Sequence, residues 1–226
     1  MNRVLGLVLI SLLVGGCATT GGVSSFTNAG DTSSLREKER RLWHEAGGFD
    51  TTIERSGQIY DDRRATAYLQ GVMDRLYPEF RGKIQVHIYD STQLNAFALP
   101  NGSIYFNIGL LARIENEAQL ATVLAHEAAH FVERHSFRQR VSAKNLSAFA
   151  VSGIPFSNLA AISSISGFSR DLEREADQKG YERLVKSGYN PHEAHKVFQT
   201  LANEVKALGT DEPYFFSSHP KLVERI

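Results

Sequence analysis

Two histidines and a glutamate stand together in the stretch Leu120 to His135, LATVLAHEAAHFVERH. His126 and His130 are four residues apart, so on a helix they lie on one face and can grip a single metal ion. Glu127 is then turned to the side where a water on that ion would sit. Neutral imidazoles suit Zn2+, and a zinc held by three protein groups keeps a water whose pKa falls from about 15.7 to about 7. A carboxylate beside that water can take its proton as general base. The chemistry these residues point to is metal-assisted hydrolysis of a peptide bond. No helix breaker interrupts Leu120, Val123, Leu124 and Ala125, and Phe131 continues their apolar stripe, as a buried helix requires.

Two histidines do not complete such a centre; a third ligand is needed, and spacing restricts where it can lie. The metzincin pattern would place Gly at 133 and His at 136, but the chain has Glu133 and Ser136. His135 is five residues past His130, off the ligand face, and reads as a neighbour of a ligand or as a surface residue. A glutamate about twenty residues after the second histidine would fall near Phe149 and Ala150, which are not acids. After Glu133 the next acidic residue is Asp171, which leaves the run RDLEREAD, Arg170 to Asp177. There Leu172, Ala176, Gly180 and Leu184 define an inward stripe that includes Glu173 and Asp177, while Asp171, Glu175, Gln178 and Glu182 point away. Burying two carboxylates is costly unless a cation or a hydrogen bond compensates. The pattern therefore predicts Glu173 as the third ligand of one zinc per chain and Asp177 as the hydrogen-bond partner of a ligand imidazole, His126.

The elements that must hold these groups can be sketched from periodicity. Arg36 to Arg41 is densely charged before Leu42 and Trp43, which suggests a mostly solvated helix anchored at one end. From Arg55 to Leu76, Ile59, Ala65, Tyr68, Leu69, Val72, Met73 and Leu76 recur at helical spacing, and Pro78 follows. Lys83 to Tyr89 alternates apolar and polar, so it reads as a strand with one wet face that carries His87. Asn95–Leu99 and Ile104–Asn107 read as a hairpin turned at Pro100-Asn101-Gly102-Ser103. The expected class is α+β, mainly helical, with a short antiparallel sheet beside the metal helix. Its edge, Asn95, Ala96, Phe97 and Ala98, either pairs with an extended peptide substrate or is a plain structural hairpin. Asn145 to Ser169 has no charged residue and is broken by Pro155; it reads as packed helices beneath the site, with a lid or membrane-contacting flap as the alternative. A last helix runs from Pro191 to about Leu208, capped by Asn190 and stopped by Gly209, with His192, Glu193, His195 and Lys196 read as exposed.

The first residues concern location. After Met1-Asn2-Arg3 an apolar run, Val4 to Val14, has the length of a signal-peptide core, and Val14-Gly15-Gly16-Cys17 resembles the lipobox of bacterial lipoproteins. Cys17 is the only cysteine, so the chain forms no internal disulfide and offers no further thiolate to a metal. Residues 1–17 are read as signal peptide and lipobox, 18–34 as a flexible linker rich in Thr, Gly, Ser and Asn, and 35–226 as one metallopeptidase domain. Ala18 after a lipidated cysteine implies, in diderm bacteria, an outer-membrane lipoprotein facing the periplasm. Lysines plus arginines equal aspartates plus glutamates at 25 each with no long basic run, which argues against nucleic acid as a partner.

NAFALPNGSIYFNIGLL (Asn95 to Leu111), HEAAH (His126 to His130), SRDLEREAD (Ser169 to Asp177) and SHPKLVERI (Ser218 to Ile226) follow one another along the chain. Together they resemble the gluzincin family that includes the CAAX prenyl proteases and bacterial HtpX, BepA and LoiP, over about Tyr60 to Ile226. Ala129 stands where that family usually has Gly. The resemblance implies a zincin-like metallopeptidase fold and gives His219 a role that spacing could not. His219 would approach the zinc, either steadying the oxyanion or occupying the fourth position as a latch, with Arg225 near the same place. It further implies a zinc endopeptidase acting on misfolded envelope proteins. The alternative is a zinc-stabilised outer-membrane assembly factor or chaperone with latent protease activity.

Overall fold

The computed structural model of the chain describes residues 23–27, 33–142 and 168–208. In chain order its helices are α1 (Ser33–Ser56), α2 (Arg63–Leu76), the single turn α3 (Ile108–Leu111), α4 (Glu117–Val132), α5 (His135–Ser142), α6 (Arg170–Lys186) and α7 (His192–Leu208). The strands are β1 (Gln85–Tyr89), β2 (Ala96–Ala98) and β3 (Ser103–Asn107). The class is mainly helical α+β, as the periodicities predict. Among the described residues no helix is long and apolar enough to cross a membrane.

Helix α4 is the axis of the fold. Every residue from Gln119 to Val132 is buried, because α2, β2, α5, α6 and α7 all pack on it. Its start is set by Asn116, whose side chain accepts from the amide of Gln119 at 3.0 Å. The helix N-terminus docks on α7 through Glu193, which accepts from Asn116 Nδ2 at 2.9 Å and Gln119 Nε2 at 3.0 Å. Glu193 is thus buried, contrary to its reading as exposed, and hydrogen bonds from Lys196, Asn116 and Gln119 hold its carboxyl down to about 2. His192 and His195 are exposed, as expected.

The sheet has the order β1-β3-β2, with β2 antiparallel and β1 parallel to β3. The expected hairpin is present, but the sheet is mixed rather than antiparallel throughout. The link after β1 passes over the end of β3 and delivers β2 to its far side, so the hairpin return leaves β3 parallel to β1. Both faces are covered. Val86, Ile88, Ile104 and Phe106 join the main core with α2 and α4, while Tyr89, Leu99 and Tyr105 meet Ala46, Phe49 and Ile53 of α1. The face read as wet is therefore sheltered, and His87 is half-buried and stacked on Tyr105 with ring centroids 5.0 Å apart. Burial lowers the His87 pKa from its ordinary value. Asp50 ties α1 to the sheet, accepting from Asn101 Nδ2 at 2.6 Å, Ser103 Oγ at 3.0 Å and the Tyr105 hydroxyl at 2.7 Å.

The outer edge of β1 is closed by Gln70, which donates to Ile84 O at 3.1 Å and accepts from Val86 N at 2.9 Å. Ile59 lies beside Tyr89 in a bridge, not in the helix its spacing suggested, because the chain turns at Gly57 (φ 73°) between α1 and α2. Among the described residues β2 pairs with β3 alone.

Residues 23–27, inside the stretch read as a flexible linker, dock on the far end of α4. The Phe26 amide donates to Val132 O at 3.0 Å, and its ring packs on Phe131 and Trp43. One aromatic in a polar stretch suffices to anchor it where apolar surface is available. The signal and lipobox residues with Cys17, the segment 143–167, and the elements of His219 and Arg225 lie outside the described residues.

Candidate metal centre

The donors predicted from the sequence come together. His126 and His130, one turn apart on α4, and Glu173 on the first turn of α6 are all buried and present ligand atoms within 4.8 Å of one another. Helix α6 is placed for this by its N-cap, Ser169, whose hydroxyl accepts from Leu172 N at 3.4 Å, and by Gly180, which lets the two backbones approach closely. A Cβ at Gly180 would stand 3.0 Å from His126 N.

The donor set fits zinc. Zinc–ligand bonds of about 2.0–2.1 Å at the tetrahedral angle place neighbouring donors about 3.3 Å apart. Here the two Nε2 atoms are 3.1 Å apart, and the two oxygens of Glu173 face them separately, Oε2 3.6 Å from His126 Nε2 and Oε1 3.6 Å from His130 Nε2. The other ring nitrogens are occupied in ways that favour this. His126 Nδ1 lies 3.0 Å from Asp177 Oδ1, which fixes the ring hydrogen on Nδ1 and leaves the Nε2 lone pair for a cation. Two imidazoles and one carboxylate in a water-poor pocket suit zinc better than the harder magnesium or calcium. Glu127 is 1% exposed on the turn that carries both histidines.

His135 takes the first of its two readings, a neighbour of a ligand. It is fully buried, not a surface residue, and its Nδ1 lies 2.9 Å from His130 Nδ1. Its Nε2 lies 3.4 Å from Glu175 Oε2, and that same oxygen accepts from Arg138 at 2.7 Å. Glu175 therefore faces α5 rather than open solvent. The sequence missed this because a helical wheel describes one helix, and α5 reaches Glu175 only after a left-handed turn at Arg134 (φ 57°). Burial holds the His135 ring neutral, well below its ordinary pKa. Phe168 stacks on the His130 ring with centroids 4.0 Å apart and covers it. Asn95 to Ala98 run along β2 beside α4, with Asn95 O accepting from Asn107 N at 3.0 Å.

The profile of Peptidase family M48 matches residues 63–226, which takes in the metal helix, α6 and the stretch of His219 and Arg225. The chain belongs to Peptidase family M48. The gluzincin resemblance carried by HEAAH and SRDLEREAD is thus borne out at the level of the family. This M48 chain is 27% identical over 216 residues to the beta-barrel assembly-enhancing protease of Yersinia pestis, covering 86% of the chain and 43% of that protein. It is 26% identical over 221 residues to the protein of the same description from Escherichia coli, covering 88% and 44%. It is 31% identical over 156 residues to the mitochondrial metalloendopeptidase OMA1 of Saccharomyces cerevisiae, covering 64% and 45%. The M48 chain spans less than half the length of these curated relatives.

Proposed function

We propose that this M48 chain is a zinc-dependent endopeptidase, with His126, His130 and Glu173 holding one metal ion. The observation that carries the reading is the convergence of these three buried donors, whose ligand atoms lie within 4.8 Å of one another. Zinc bound there would supply Lewis-acid polarisation of the scissile carbonyl and a lowered pKa for the attacking water. With the metal bound, the Glu127 carboxyl would accept the proton of the attacking water and return it to the leaving amine, serving as base and then as acid. Asp177 keeps the His126 ring in the orientation and tautomer that present Nε2.

The substrate is an extended polypeptide. β2 supports this, since among the described residues its outer edge pairs with no strand while the β1 edge is closed by Gln70. Asn95, Ala96, Phe97 and Ala98 would add the peptide as a further strand beside α4. His219 and Arg225 are assigned to the oxyanion on the family resemblance. The relatives named as beta-barrel assembly-enhancing proteases, together with the lipobox-like Val14 to Cys17, favour work in the cell envelope on misassembled proteins. A lipid on Cys17 would anchor the chain to the outer membrane on its periplasmic side.

The test is cleavage of an unfolded protein by the zinc-loaded chain and by Glu127→Gln. The substitution keeps the shape and metal donors but removes the base, so the rate should fall by about 100-fold or more. Equal cutting by both proteins would sink the proposal.

A further inference from the structure

The two histidines of the centre are held in different ways. His126 Nδ1 faces the Asp177 carboxylate directly, at 3.0 Å. His130 Nδ1 faces another imidazole nitrogen, Nδ1 of His135, at 2.9 Å. Only one hydrogen fits between two ring nitrogens at that distance, so the pair must choose a donor. If His130 is to offer the Nε2 lone pair to a cation, its own hydrogen sits on Nδ1, and His130 is the donor. His135 Nδ1 is then the acceptor, and a neutral His135 carries its hydrogen on Nε2. That nitrogen lies 3.4 Å from Glu175 Oε2, an ion-pair contact without hydrogen-bond geometry, and the same oxygen is fixed by Arg138 at 2.7 Å.

We propose that His135 and Glu175 are positioning residues for His130, forming a two-step relay that does for the second histidine what Asp177 does directly for the first. The relay's geometry is built into the chain path. Helix α4 ends at Val132, Arg134 turns left-handed at φ 57°, and α5 therefore begins at His135 with its ring folded back on His130. Arg134 is kept in that turn by Glu39, to which it donates at 2.8 and 2.7 Å. Phe168 lies face-on to His130 and edge-on to His135, with the latter centroids 5.9 Å apart, and so covers both rings. No zinc ligand is added by the relay; its effect is to set the tautomer and aim of His130.

The inference rests on the reading of His130 as a metal ligand, and the experiment separates the two. The full-length chain is labelled with 15N-histidine and loaded with zinc. In the wild type, His130 should be protonated at Nδ1 and His135 at Nε2, with a scalar coupling between the two Nδ1 nitrogens across the hydrogen bond. Chelator competition should give His135→Leu an affinity for zinc about 10–100-fold below wild type. His135→Asn, whose side-chain carbonyl can accept from His130, should keep most of the affinity. Glu175→Ala, at a partly exposed position, should bind zinc more weakly by a smaller factor and lose the single tautomer of His135.

A wild type that takes up no zinc overturns the metal reading, and this inference with it. A wild type that binds zinc without the Nδ1–Nδ1 coupling, or a His135→Leu protein that binds as tightly as wild type, overturns the relay alone. If His135→Leu does not fold, the wild-type coupling and Glu175→Ala decide: coupling with weakened binding supports the relay, and either one missing overturns it.

Discussion

Glu173 and Asp177 are both acids on the inward face of α6, yet the centre asks different things of them. Glu173 is 1% exposed and lies 3.6 Å from each Nε2 atom, so a cation held by the two imidazoles would meet its carboxylate as well. Asp177 keeps 26% of its side chain exposed and meets His126 at Nδ1, the nitrogen turned away from the centre, at 3.0 Å. Glu173→Ala should therefore abolish stoichiometric zinc, whereas Asp177→Ala should still bind one equivalent with about 10–100-fold lower affinity. Metal analysis and chelator titration distinguish them, and zinc retained unchanged in Glu173→Ala would remove Glu173 from the ligand set. These two roles were legible because helical periodicity alone sorts α6 into an inner and an outer face. The partner of Glu175 and the shelter of His87 were not, because each comes from a different element: α5 for Glu175, α1 for His87.

Elements carry the centre only if they meet at the correct distance, and Gly180 sets that distance. Its position on the inner stripe was readable, but the reason for a glycine there is the backbone of α4, 3.0 Å from where a Cβ would sit at His126 N and 3.2 Å at Ala125 C. Backbone cannot rotate away as a side chain can, so Gly180→Ala must push α6 outward, and Glu173 and Asp177 move with it. The expected cost is about 1–3 kcal/mol of stability from overpacking, together with weakened zinc binding. Gly71, also within a helix but exposed and with nothing within 4 Å of where a methyl would be added, is the matched control. Gly71→Ala should stabilise by about 0.5–1 kcal/mol, since it only removes backbone freedom from the unfolded chain. Urea unfolding of the two variants should move in opposite directions; a Gly180→Ala protein as stable as wild type would mean that α4 and α6 are not constrained there. The mixed sheet belongs to this scale too. Strand positions and the Asn101-Gly102 turn follow from alternation and turn chemistry, but the direction of β1 depends on which side of β3 the link delivers β2, and no local pattern encodes that.

For the whole molecule, the centre joins parts of the chain that are far apart in sequence. α4 contributes two donors, α6 the third, α5 leans on the second histidine, and residues 23–27 with Glu39 of α1 secure the turn from which α5 starts. A ligand that binds only the folded state stabilises it by RT ln(1 + [L]/Kd), about 4 kcal/mol when free zinc exceeds Kd about 1,000-fold. In a domain of this size 1 kcal/mol moves Tm by about 2–4 °C, so stripping the metal should lower Tm by about 8–16 °C. Calorimetry of the chain with and without chelator measures this, and restoring zinc should restore the transition. Glu173→Ala separates metal linkage from any unrelated action of the chelator: its Tm should already be low and should not respond. A wild-type Tm that ignores the chelator would mean that three buried donors converge within 4.8 Å of one another without contributing binding energy to the fold.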